Sequence, residues 1–93
     1  MTPIQEFTDV LELYLHGNSY DPAALKADVL DPMGTSELAS FRARFDWALN
    51  SRFFEWDEWT TRLNLWFPDQ AALDQHLAAV YLFLFEGGPW PEN

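Results

Sequence analysis

Apolar side chains recur along this chain with a period near 3.6, the spacing that lines one face of an α-helix. Phe7, Val10, Leu11, Tyr14 and Leu15 form the first stripe, and Glu6, Asp9 and Glu12 fall largely on the opposite side. Ahead of it, Thr2-Pro3-Ile4-Gln5 offers a capping hydroxyl, a first-turn proline and a glutamine placed for a capping box, so a helix is expected to start there. Gly17-Asn18 is expected to end it, with glycine in the left-handed position after the last turn.

Asp21-Pro22 repeats the start signal, and Leu25 and Val29 give a short second helix an apolar edge that stops near Leu30. Asp31-Pro32-Met33-Gly34 reads as a turn, after which Thr35 or Ser36 is expected to cap a third helix. Leu38, Phe41, Phe45, Ala48 and Leu49 supply its stripe, Arg42, Arg44 and Asp46 are displaced from it, and Asn50-Ser51 marks the end. From Arg52 to Trp66 no single period fits. Trp56, Trp59 and Leu63 suit a short helix from about Trp56 to Asn64, supported by Glu58 and Arg62 at i, i+4. A strand through Phe53–Trp56 is the alternative, because aromatic residues suit a pleated surface.

The last helix opens at Phe67-Pro68-Asp69-Gln70, with the proline in its first turn or Asp69 as its cap. Leu73, Leu77, Val80, Tyr81 and Leu84 line it, and from Leu77 to Phe85 apolar residues cover every face. That stretch reads as a central helix, or alternatively as a buried strand. Gly87-Gly88 ends it, and Pro89-Trp90-Pro91-Glu92-Asn93 is a proline-restricted tail whose tryptophan is expected to fold back. The pattern therefore predicts an all-α fold, a compact single-domain bundle of four to five helices over residues 1–88 with a short tail at 89–93. An α+β fold with a strand around 53–56 is its alternative.

Composition changes this picture mainly through charge. Fifteen carboxylates against five basic side chains give a net charge of −10 over 93 residues. Such a surface repels phosphate backbones and anionic lipid, and the cations Lys26, Arg42, Arg44, Arg52 and Arg62 are too scattered for a phosphate-tracking stripe. Direct nucleic-acid and membrane binding are not expected. Aromatic residues at 17% argue against a disordered acidic tail. Acidity of this kind also occurs in ordinary soluble proteins, including those of halophiles. With no cysteine there is neither disulfide nor thiolate metal site, which suits a reducing compartment. The N-terminus lacks the basic and apolar regions of a signal peptide. The nine-residue apolar run rises only about 13.5 Å as a helix, against roughly 30 Å of hydrocarbon. A cytoplasmic location is the expectation.

Candidate chemistry is sparse, and neither an enzyme nor a cofactor or metal is expected. His16 has only Glu12 at helical spacing and reads as a residue near a helix C-terminus; His76 reads as lying on the wet flank of its helix. Adjacent carboxylates such as Asp57 and Glu58 point about 100° apart on a helix, so they do not converge on one substrate atom. No glycine-rich phosphate loop is present.

Acid and ring mix most densely in Phe53-Phe54-Glu55-Trp56-Asp57-Glu58-Trp59. Aromatic residues at helical spacing are usually core, yet Phe53, Phe54, Trp56, Trp59 and Trp66 exceed what one buried helix face holds, so one or two are expected to be exposed. Phe54, Glu55, Trp56, Asp57, Glu58 and Trp59 are accordingly the candidate partner-binding residues, with the carboxylates steering a basic protein and a ring anchoring it. Length, charge, helical layout and this segment resemble the small acidic immunity proteins that bacteria pair with their own nuclease toxins. Tyr14, Tyr20 and Tyr81 are scattered, without the paired tyrosines of the colicin-DNase immunity helix, and no family-specific residue carries over. The resemblance implies tight binding to a basic toxin or nuclease. The alternatives are a DNA-mimicking anti-defence inhibitor of phage origin, and a structural homodimer joined through Leu77–Phe85 and Trp90.

Overall fold

The computed structural model describes residues 3–92, so the cap expected from Thr2 lies outside the described residues. α1, Pro3–Leu15, buries Phe7, Leu11 and Leu15, with Val10 and Tyr14 half-buried beside them, which is the stripe read from the sequence. Its end differs from expectation. Among the described glycines only Gly87 has positive φ, so Gly17 is not a left-handed cap. Gly17 is needed for close approach instead: its N–H donates to Leu63 O at 2.7 Å, and a Cβ there would collide with the Asn64 carbonyl.

α2 begins as Pro22–Ala24 behind Asp21, whose side chain accepts the Ala24 N–H at 3.0 Å. It then widens into π-helix over Leu25–Leu30, ending with Asp31 N–H donating to Lys26 O at 2.8 Å. The i to i+5 ladder brings residues five apart onto one face, so Leu25 and Leu30 are both buried while Val29 is only partly so. The expected pairing of Leu25 with Val29 assumed α-helical spacing.

α3, Thr35–Asn50, buries Phe41, Phe45 and Ala48 and packs Leu38 and Leu49 alongside. Gly34 occupies its N-cap with no side-chain hydrogen bond, so neither Thr35 nor Ser36 caps it. α4, Trp56–Leu63, is closed by Asn64 in the left-handed region at φ 52, a conformation asparagine tolerates. The strand considered for 53–56 is not formed; among the described residues there is no strand. α5, Gln70–Phe85, is capped by Asp69, which accepts the Ala72 N–H at 2.9 Å.

Phe7, Phe41, Phe45, Phe54, Tyr81 and Phe85 meet in one ring cluster, with Phe45 edge-on to Phe7 at 5.6 Å and to Tyr81 at 5.6 Å. Edge-to-face pairs of this kind add about 0.5–1.5 kcal/mol beyond area burial. After α5, Gly87 turns the chain at φ 68, and Trp90 folds back as expected, edge-on to Phe83 at 5.5 Å. Among the described residues no helix is long and apolar enough to cross a membrane.

Candidate functional site

The acid-and-ring segment occupies the entry to α4, and its side chains divide sharply. Phe54 and Trp59 are core residues: they pack edge-on at 4.9 Å and expose almost nothing, so neither is available to a partner. This corrects their place among the candidate binding residues. The reason is helical spacing, since Trp59 and Leu63 share the face of α4 turned towards α1 and α5. Phe53 is half-buried against Trp47 and Trp59.

Glu55, Trp56, Asp57 and Glu58 lie at the surface. Trp56 is 37% exposed yet firmly held: its indole N–H donates to Phe67 O at 2.8 Å and its backbone N–H to Gln70 Oε1 at 2.8 Å. Gln70 also donates through Nε2 to Phe54 O and to Asp74 Oδ1. One amide side chain thus fastens the entry of α4 to the first turn of α5. Local spacing marks Gln70 only as part of a helix start and carries no sign of a bond across fourteen residues.

This fastening brings Pro68, Asp69 and Gln70 beside Glu55, Trp56 and Asp57 around an open hollow of about 400 Å³. Among the described residues, neither Glu55, Asp57 nor Asp69 has a cation within ion-pair reach. Glu58 differs, being tied to Arg62 at 2.9 Å. Arg62 also binds Glu12 of α1 and lies over the Trp59 ring at 4.4 Å from its centre. Burial opposes the Arg62 charge, but the bonds to Glu12 and Glu58 outweigh it and raise its pKa. Next to the hollow in sequence, Trp66 is 81% exposed, the most open large apolar side chain described. It is one residue from the Phe67 carbonyl that Trp56 holds.

His16 Nδ1 accepts the Asn18 N–H at 3.1 Å just beyond α1, in keeping with a helix-end residue. His76 is not on a wet flank: it is buried, its Nδ1 bonded to Glu92 O at 3.1 Å and its Nε2 in contact with Tyr20 Oη at 3.2 Å. Helical geometry placed it beside Leu73, Leu77 and Val80, and only the returning tail explains why a polar ring fits there. Among the described residues no group of three or more histidine, aspartate or glutamate side chains is arranged to hold a metal ion. Searches against protein-family models, curated proteins and solved structures find no match for this chain.

Proposed function

We propose that this chain is an acidic protein-binding inhibitor, of the immunity or antitoxin kind, that neutralises a basic toxin or nuclease by covering its active cleft or a neighbouring site. The observation that carries the reading is one surface where Glu55, Asp57 and the helix-capping Asp69, none with an ion-pair partner among the described residues, surround the fixed ring of Trp56, with Trp66 standing exposed on the adjoining connection. Negative charge at such a surface raises the association rate of a cationic partner, and a tryptophan entering a desolvated pocket slows its departure. The anchor is Trp66 together with the open part of Trp56, in place of the buried rings of Phe54 and Trp59.

Fastening through Gln70 supports the same reading, because a surface held rigid before binding loses less conformational entropy on association. The test is affinity capture on the immobilised chain from its native host at low salt, with a Trp66→Ala chain in parallel. A basic protein retained by the first and weakly or not at all by the second is the expected result. Absence of any cationic partner contradicts the reading.

A further inference from the structure

A second polar cluster lies where the segment after α5 returns across the bundle. Tyr20, from the connection between α1 and α2, donates its phenol proton to Pro91 O at 2.5 Å. His76, from the middle of α5, donates from Nδ1 to Glu92 O at 3.1 Å. Both carbonyls only accept, so these two bonds use the phenol proton and the single N–H of a neutral imidazole. Trp90 packs edge-on against Tyr20 at 6.3 Å and against Phe83 at 5.5 Å.

The same cluster is a poor home for an imidazolium. His76 is 7% exposed, with the Phe67 ring at 5.3 Å and the Tyr20 ring at 5.6 Å. The titratable and charged groups bordering it are Tyr20 from the α1–α2 connection and Glu92 from the tail; the α4–α5 connection contributes uncharged Phe67, and α5 itself Ala72, Gln75 and Ala79. No carboxylate lies within ion-pair distance among the described residues. A second proton, on Nε2, gains one bond to Tyr20 Oη, but the ring then carries a largely desolvated charge with no counter-ion among the described residues, and the loss of hydration is the larger effect. Release of the tail returns water to the ring.

We propose that Pro89–Glu92 is a pH-gated latch, fastened while His76 is neutral and released when the ring takes its second proton. Burial holds the His76 pKa below its ordinary value, against the weaker opposing effect of the Glu92 carbonyl, which agrees in direction. Release uncovers the rings of Tyr20 and Phe83 and turns an apolar face of α5 outward. The latch borders the α4 entry through Phe67, whose ring packs on His76 and whose carbonyl holds Trp56, but it does not depend on the function proposed for that surface.

The test follows two signals in one sample of the full chain. Imidazole nitrogen shifts report His76 protonation, and nuclear Overhauser contacts from the Trp90 indole to the Phe83 and Tyr20 rings report the fastened tail. The contacts are expected to fade in step with protonation as pH falls from about 7.5 to about 5, and to persist over that range in His76→Gln. Contacts that survive once the ring is doubly protonated overturn the proposal, as does equal fading in His76→Gln. Should that variant not fold, the wild-type titration decides alone, since both signals come from the same sample.

Discussion

Gly17 and Asn64 share a backbone contact too close for a side chain, with a Cβ at Gly17 falling against the Asn64 carbonyl. The neighbouring bond from Gly17 N–H to Leu63 O, at 2.7 Å, ties the end of α1 to the end of α4. Asn64 helps by taking the left-handed conformation, which turns the chain at that point. Because the colliding atom is backbone and not a flexible side-chain tip, Gly17→Ala forces the two helix ends apart. A loss of about 1–3 kcal/mol is expected, measured by urea denaturation. A negligible loss would show that the two helix ends part without cost.

Core and surface aromatic residues should separate cleanly in the same assay. Phe45→Ala and Trp59→Ala remove rings packed on several neighbours and are each expected to cost about 3–5 kcal/mol, a large part of the stability of a domain this size. Trp66→Ala should leave stability within about 0.5 kcal/mol, as for an exposed side chain. Comparable losses at Trp59 and Trp66 would contradict the division of the acid-and-ring segment.

That division explains how far the sequence could be read. Helices α1, α3, α4 and α5 were legible because Phe7, Phe45, Trp59 and Leu77 recur at α-helical spacing with their neighbours, and the starts of α2 and α5 because Asp21 and Asp69 are caps recognisable from the residues around them. Four things were not legible. The π-helical turn at Leu25–Leu30 reverses a spacing of four into one of five, and local propensity carries no sign of it. Gly17 has the same local signature whether it turns left-handed or permits close approach. The burial of His76 and the bridging by Gln70 depend on partners far along the chain, Tyr20 and Glu92 for one and Phe54 and Trp56 for the other. Of the candidate residues, Glu55, Trp56, Asp57 and Glu58 are at the surface, while Phe54 and Trp59 are core because of contacts that local spacing does not show.

Arg62 joins Glu12 of α1 and Glu58 of α4 and covers Trp59, so it links helices as well as charges. Its partly exposed pairs are worth little each, about 0.2–1 kcal/mol, with a comparable contribution from the ring contact. Arg62→Ala is expected to cost about 1–2 kcal/mol at low salt. About 1 M salt should shrink that loss, because the ion pairs are screened and the ring contact less so. A loss unchanged by salt would assign the effect to packing alone.

Stability should depend on pH through His76. Its folded-state pKa is lowered, so the neutral ring supports the fold fully above the unfolded value of 6.5, and that contribution shrinks as pH falls through 6.5 towards the folded value. Urea midpoints taken between about pH 7.5 and 5.5 should therefore fall in the wild type and fall less in His76→Gln. A wild-type midpoint that rises as pH drops to 5.5 in step with His76 protonation would reverse the sign and contradict the burial argument.

The central claim is that unpaired carboxylates and exposed tryptophan at the α4 entry form the contact with a basic protein. The direct measurement is the affinity of a cationic partner, captured from the host, for the wild type, for Trp66→Ala and for the double variant Glu55→Lys/Asp57→Lys, at about 50 mM and about 300 mM salt. The account expects Trp66→Ala to weaken binding by about 30-fold or more, mainly through faster dissociation. It expects charge reversal to slow association and to flatten the salt dependence. Binding that is unaltered in both variants, or a partner without basic character, would contradict it.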